Sequence, residues 1–292
     1  MTDLDAQGST VSAALTHAVA VLTQAGVPNP SVDAELLIGH VLNASRGRIQ
    51  ALAMTDAALP AAEAASVLKL VARRAAREPL QHITGRAAFR SIELAVGPGV
   101  FVPRPETELV AQFAIDALKA TAGAEPIAVD LGTGSGAIAL SLALEVPHAR
   151  VYGVENSPQA FEWTIRNFRH IGRGNATAVL ADLADALPEL DGRVSVVISN
   201  PPYVPTDAIP RDPEVRLFDP AHALYGGADG LDVVHSVSQT ALRLLHPGGT
   251  LVIEHGELQG AAIRELLTAD GWRAAATHPD LTTRDRATTA LR

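Results

Sequence analysis

Two short stretches of the chain carry residue types at spacings that could do chemistry. The first, Val129-Asp130-Leu131-Gly132-Thr133-Gly134-Ser135-Gly136-Ala137, lies where an apolar run turns into a helical one. Glycines there permit positive φ and let backbone approach a ligand closely, while the helix N-terminus offers unpaired N–H donors. That combination of Gly132, Thr133, Gly134, Ser135 and Gly136 suits a nucleoside-bearing cofactor. Glu155, 23 residues after Gly132, closes the next strand, where a carboxylate can accept from both ribose hydroxyls. Taken alone the loop stays ambiguous: Gly132, Gly134 and Ala137 also satisfy the dinucleotide pattern G-x-G-x-x-G/A, and a tight turn that binds nothing is a third reading. Asp182-Leu183 follows the third strand, where the acid could accept from an adenine amine and the leucine pack on the ring; the plain alternative is a surface acid opening a loop.

The second stretch is Asn200-Pro201-Pro202-Tyr203, directly after the apolar run from Val194 to Ile198. Two consecutive prolines fix two φ angles, remove two N–H donors and push Asn200 into an extended conformation. The product is a rigid turn that presents acceptors. The Asn200 side-chain oxygen and the Pro201 carbonyl can together receive both hydrogens of a planar –NH2 group, with Tyr203 against its π face. An amide or adenine nitrogen is a poor nucleophile because its lone pair is delocalised. Two acceptors that hold its hydrogens favour pyramidalisation and aim the lone pair at an electrophile, so positioning and electrostatics carry the catalysis and no metal or general base is required.

Alternating strands and helices must hold these motifs. From residue 126 the pattern predicts strands at 127–131, 151–155, 176–180, 194–199 and 250–254, with helices from about 137, over 158–171, from about 231 and over 259–269, and two closing β stretches near 272–277 and 286–291. Such alternation specifies a mostly parallel, doubly wound α/β sheet with ligands beyond the carboxyl ends of its strands. Up to Arg77 the chain is alanine-rich instead, with apolar residues at helical spacing in Leu15, Val19, Leu22 and in Leu36, Leu37, Val41, broken by turn signals at Gly26-Val27-Pro28, Asn43-Ala44-Ser45 and Leu59-Pro60. A small bundle of about four helices follows. Between them, 78–105 concentrates Pro and Gly around two short alternating runs and reads as a hairpin linker, ending where Pro105, Glu106 and Glu108 start a helix. The domains expected are therefore 1–77, 78–105 and 106–292.

A length of 292 residues fits two domains. The absence of cysteine excludes disulfides, thiolate nucleophiles and cysteine metal sites, and agrees with a reducing compartment. Residues 1–85 carry 7 acidic and 6 basic groups, whereas 86–292 carry 25 and 17, so nearly all of the net charge of −9 lies in the second region. That balance opposes wrapping of a nucleic-acid backbone, which needs clustered cations. Met1-Thr2-Asp3-Leu4-Asp5 is acidic where a secretory signal needs positive charge, and no apolar run reaches membrane-spanning length, so a cytoplasmic protein without membrane contact is expected. No two of the ten histidines pair at i, i+3 or i+4, and no zinc-hydrolase, serine-hydrolase or P-loop motif occurs; the histidines are expected at the surface or at caps. Arg73, Arg74 and Arg77 read most simply as a solvated helix face, with docking of an acidic partner as the alternative. The polar stretch between Tyr203 and Leu231 reads as a lid.

With these residues in view, the loop at Asp130 resembles motif I of class I S-adenosylmethionine methyltransferases. The chain as a whole resembles the protein-(glutamine-N5) methyltransferases of the PrmC/HemK family, which modify peptide chain release factors. The likeness extends through Glu78–Gly85, Phe101-Val102-Pro103-Arg104-Pro105-Glu106-Thr107-Glu108, the two motifs above, Gly226-Gly227-Ala228-Asp229-Gly230-Leu231 and Glu254-His255-Gly256. It implies a seven-stranded sheet whose last strand is antiparallel and a helical domain that helps hold the protein substrate. It also implies a monomer, with S-adenosylmethionine lined by residues 132–136, Glu155, Leu183, Asn200 and Phe101, and a Gly-Gly-Gln glutamine clamped by residues 200–203. Arg104 and Glu106 would brace the pocket. Leu183 stands where some members have an aromatic, and Leu281–Arg286 has threonine where glycine is expected. Other readings are a ribosomal-protein glutamine methyltransferase, a nucleic-acid amino-group methyltransferase, a nicotinamide-dependent oxidoreductase, which leaves residues 200–203 without a role, and a non-catalytic binding protein.

Overall fold

A computed structural model describes residues 9–292; the acidic Met1–Asp5 stretch lies outside the described residues. The chain divides into two compact units, the first running to Gly85 and taking in Pro210–Phe218, the second comprising Arg86–Ile209 and Asp219–Arg292.

In the first unit, α1 (Val11–Gln24), α2 (Pro30–Leu42), α3 (Arg46–Met54) and α4 (Ala61–Ala75) are the four expected helices, and α5 (Leu80–Thr84) is a short fifth. The three turn signals fall between helices as the sequence predicts. Thr10 and Ser45 cap α1 and α3 by accepting from Ala13 and Arg48 N–H, and Pro30 occupies the first turn of α2. The buried stripe of α1 is Val11, Ala14, Ala18 and Leu22, shifted from the predicted Leu15 and Val19, which are only partly buried. Alanines on the inner face let α2, through Ala34, Leu37 and Ile38, approach closely, so the small residues rather than the large ones mark the seam.

The arginine cluster is not solvated. Arg74 is 6% exposed and pairs with Asp33 at 2.7 Å and Glu214 at 2.8 Å, while Arg77 pairs with Glu214 at 2.5 Å and donates to the Gly26 carbonyl. Only Arg73 lies at the surface, bonded to Glu78. The Arg74 guanidinium binds carboxylates 41 and 140 residues away, which no local pattern encodes.

The second unit opens with a hairpin, β1 (Arg86–Phe89) and β2 (Ile92–Ala95), followed by α6 (Pro105–Ala120). Then come β3 (Ile127–Leu131), α7 (Ala137–Glu145), β4 (Arg150–Glu155), α8 (Pro158–Ile171), β5 (Ala176–Leu180) and β6 (Val194–Ser199). The short helix α9 (Pro213–Phe218) belongs to the first unit, and α10 (Asp232–Leu244), β7 (Leu245–Glu254), α11 (Gly260–Ala269), β8 (Arg273–Pro279) and β9 (Asp285–Leu291) complete the second. The sheet order is β5-β4-β3-β6-β7-β9-β8, parallel except for β9, which is antiparallel to both neighbours. This is the doubly wound class I methyltransferase sheet expected. β7 begins at Leu245 rather than at Thr250, because Leu245 pairs with Val194 ahead of an irregularity at Pro247-Gly248-Gly249.

Side chains alternate across the sheet between two cores. Ala128, Val196, Ile198 and Val252 face α6 and α7, while Val129, Leu131, Val197, Leu251 and Ile253 face α10 and α11. Strands covered on both faces read as continuous apolar runs. Asp130 and Glu254 break that rule near and at the carboxyl ends of β3 and β7, both on the α6/α7 side by alternation and both buried.

Candidate active site

The glycine loop leaves β3 with Gly132, Gly134 and Gly136 at φ of +77°, +54° and +86°. A Cβ at Gly132 or Gly134 would meet nothing within 4 Å, whereas one at Gly136 would lie 2.7 Å from the Phe168 ring. The first two therefore keep open space beside the backbone, and the third permits helix packing. Asp130 accepts from Thr133 Oγ1 at 2.6 Å and from Ala139 N–H at 3.1 Å, tying the loop to the start of α7. Burial pushes its carboxyl up to about 7, with nearby Glu155 adding to the rise. Glu155 accepts from Gly134 N–H at 2.9 Å and Ser157 N–H at 2.8 Å, which holds the carboxylate against the loop with lone pairs to spare.

Two residues of α8 complete the cradle. Thr164 donates to the Gly134 carbonyl at 2.6 Å, and Asn167 donates to Ser135 O at 2.8 Å and Ala95 O at 2.9 Å while accepting from Ala95 N–H. Asn167 thus links the loop to β2. Their signal in the sequence is a polar pair at i, i+3 on the inner face of an amphipathic helix. Asp182 lies at the same sheet edge, since Ala181 N–H bonds to Glu155 O, but its exposed carboxylate caps Ala184 N–H, and Leu183 packs partly into the α10/α11 core. Neither touches the glycine loop. Phe101 is half-buried beneath the Arg104 guanidinium, 4.8 Å from its ring centre, and Arg104 pairs with Asp219 at 2.5 Å.

Asn200-Pro201-Pro202-Tyr203 leaves β6 at the same edge and is held by backbone contacts. Gln259 donates to the Tyr203 carbonyl at 3.0 Å and accepts from Gly256 N–H at 2.9 Å. A Cβ at Gly226 would lie 2.3 Å from Pro202 O, and one at Gly230, where φ is +80°, 2.2 Å from Tyr203 O. Glycine at 226 and 230 is thus what lets the second strand of the loop press against the acceptor turn. Val204 N–H bonds to Leu224 O and Gly226 N–H to Val204 O, so the 204–230 excursion is pinned shut at its root and carries α9. The Asn200 Nδ2 lies 3.4 Å from Thr107 Oγ1 on α6, which turns its oxygen away from that helix. Burial pushes the Tyr203 hydroxyl up to about 12, keeping it neutral. Beside it, His255 is buried: its Nδ1 donates to Gly256 O, which leaves Nε2 to accept from Thr288, and burial holds its pKa down. The expectation of surface histidines fails at this position because the ring's partners lie on β9.

The sequence profile of the PrmC N-terminal domain matches residues 13–85, and that of the methyltransferase small domain matches residues 91–224. A release factor glutamine methyltransferase of Streptomyces coelicolor is 49% identical over 92% of this chain and 93% of its own length. The chain belongs to the release factor glutamine methyltransferase family. The relative of that name in Bifidobacterium longum is 44% identical over 93% of this chain and 96% of its own. A Streptomyces pristinaespiralis relative, a 4-amino-L-phenylalanine/4-methylamino-L-phenylalanine methyltransferase, is 38% identical over 99% of this chain and 97% of its own. Family membership accounts for both motifs together, where the oxidoreductase reading leaves the acceptor turn idle. Thr107 and Gln259 are residues beside the acceptor turn that spacing alone does not reveal.

Proposed function

We propose that the protein methylates the side-chain amide nitrogen of the glutamine in the Gly-Gly-Gln loop of a peptide chain release factor, using S-adenosylmethionine. The observation that carries the reading is a rigid acceptor turn, Asn200–Tyr203, at the same strand edge as a glycine cradle with open space at Gly132 and Gly134. The donor set fits the cofactor: loop N–H groups, the Glu155 carboxylate for ribose hydroxyls, Asp182 and Leu183 for adenine, and Phe101 beside the methionine portion. S-adenosylmethionine supplies an electrophilic methyl carbon on a sulfonium. Asn200 Oδ1 and Pro201 O hold the two amide hydrogens, Tyr203 lies against the amide plane, and both prolines keep the turn from yielding. The nitrogen's surplus proton is strongly acidic once nitrogen carries a fourth substituent, so the chain needs no general base.

The helical unit, 1–77 in the domain reading, holds the protein substrate, and the protein acts as a monomer in the cytoplasm. The acidic balance of 86–292 suits a cationic donor and disfavours nucleic acid as acceptor. The test is mass spectrometry of an unmodified release factor after incubation with labelled cofactor, alongside 4-amino-L-phenylalanine, a large-subunit ribosomal protein extract and DNA. Methyl on the Gly-Gly-Gln glutamine is expected; label only in one of the other acceptors would overturn the reading.

A further inference from the structure

His255 follows β7 directly and is fully buried, yet methyl transfer as derived above does not use it. A buried imidazole has to satisfy both of its nitrogens. Nδ1 lies 2.9 Å from Gly256 O, an atom that only accepts, so Nδ1 carries a hydrogen. Nε2 lies 2.9 Å from Oγ1 of Thr288 on β9, which is also fully buried. Arg286 and Asp285 of β9 are the charged groups facing the ring, and Glu254 precedes it in the chain. Burial above all holds its pKa below the ordinary 6.5, so the ring is neutral at pH 7 and Nε2 accepts the Thr288 hydrogen.

A threonine hydroxyl has one hydrogen. With that of Thr288 given to Nε2, the 3.1 Å contact between Thr288 and Thr277 of β8 is made by the Thr277 hydrogen, in preference to its longer 3.4 Å reach to Gly260 O. Arg264 of α11 in turn donates to Thr277. The series Arg264, Thr277, Thr288, His255, Gly256 starts at a guanidinium, which cannot accept, and ends at a carbonyl, which cannot donate, so each hydrogen between them has one direction. At its far end, Gly256 O also accepts from Gln259 N–H at 3.0 Å, and Gly256 N–H donates to Gln259 Oε1 at 2.9 Å. Gln259 Nε2 then donates to Tyr203 O at 3.0 Å and Asp229 O at 3.3 Å, fastening the acceptor turn to the returning strand of its loop. We infer that His255 is a positioning residue: as its Nδ1–H tautomer it fixes Gly256, and through Gly256 and Gln259 it fixes the Tyr203 carbonyl that ends the acceptor turn.

The inference rests on the acceptor role proposed for Asn200–Tyr203, and part of its test needs no turnover. In the substrate-free protein at about pH 7.5, nitrogen NMR of the imidazole nearest Thr288 is expected to show a hydrogen on Nδ1 alone. The Gln259 side-chain NH2 hydrogens, assigned as those missing from Gln259→Ala, are expected to exchange with solvent at least about 3-fold faster in His255→Leu and in Thr288→Val. In turnover on a release factor, both variants should lower kcat at least about 10-fold with S-adenosylhomocysteine affinity within about 3-fold of wild type. Thr288→Ser, which keeps the hydroxyl, should hold kcat within about 3-fold. A hydrogen on Nε2 instead, smaller changes in exchange or kcat, or a Thr288→Ser as impaired as Thr288→Val would overturn the inference. If His255→Leu does not fold, the tautomer and the two Thr288 variants decide it. A wild-type protein that leaves glutamine unmethylated sinks the acceptor reading, while the tautomer and the Gln259 exchange still decide whether His255 holds Gln259.

Discussion

Substituting Glu214 by glutamine isolates what the buried ion cluster of the helical unit contributes. Glu214 meets Arg74 at 2.8 Å and Arg77 at 2.5 Å, and its side chain is 10% exposed. Burial alone would raise its pKa, but hydrogen bonding with Asp212, Arg77 and Arg74 outweighs that and holds the carboxyl at about 2 against an ordinary 4.5. Loss of one partner from a buried ion pair costs about 3–5 kcal/mol, whereas an exposed pair is worth under about 1. Because the folded pKa lies below the unfolded one, the stabilisation is complete above about 4.5 and drains away as pH falls toward 2. Glu214→Gln keeps the shape and removes the charge. Urea unfolding followed by far-UV circular dichroism should show a loss of about 3 kcal/mol at pH 7, shrinking to less than half of that by about pH 3. Hydrogen exchange should place the lost protection in α2, α4 and Pro213–Phe218. A deficit under about 1 kcal/mol at pH 7, or one that is constant across that range, refutes the view that Glu214 locks α9 into the helical unit through charge.

Two further substitutions probe the acceptor turn. Asn200→Ala removes one of the two acceptors and should cut kcat by about 100-fold or more with the circular dichroism spectrum unchanged; retained turnover would mean that the amide hydrogens are held elsewhere. Gly230→Ala forces a Cβ to within 2.2 Å of the Tyr203 carbonyl at a φ of +80°, so the turn must move; kcat should fall at least about 10-fold while S-adenosylhomocysteine affinity, measured by calorimetry, stays near wild type.

The strands and helices of the second unit are readable from periodicity because burial on both sheet faces imposes it. β6 starts and stops where its apolar run does, and α8 spans the predicted 158–171. The glycine loop and Glu155 are equally legible, since both lie at strand ends and are bonded to one another. Legibility fails where a partner is distant in sequence. Arg74 and Arg77 look solvated because they cluster with Arg73 at i, i+1 and i+4, yet the carboxylate that buries them arrives from residue 214. Thr107 reads as an ordinary first-turn helix residue, and only the fold sets it beside Asn200. The lid reading of 204–230 misses the two glycines whose role is to admit the Pro202 and Tyr203 carbonyls.

Those glycines explain how a site without acid–base chemistry can still be demanding. If rate comes from holding two hydrogens and a lone pair in place, displacements well below an ångström matter, and the turn must be supported by atoms that cannot adapt. Side chains adjust by rotating; backbone does not. The support for Asn200–Tyr203 is accordingly backbone wherever it can be: two proline rings, the Gly226 and Gly230 peptide groups at contact distance, and the Val204–Leu224 and Gly226–Val204 bonds that close the loop. Where a side chain is unavoidable, as at Gln259, both ends of its amide are bonded, which fixes its rotation. Asn200 itself is the exception: in the proposed acceptor role its oxygen has to stay available, so it is not pinned. Its nitrogen end is the handle that remains, and Thr107 on α6 is what the fold places there, 3.4 Å from Nδ2.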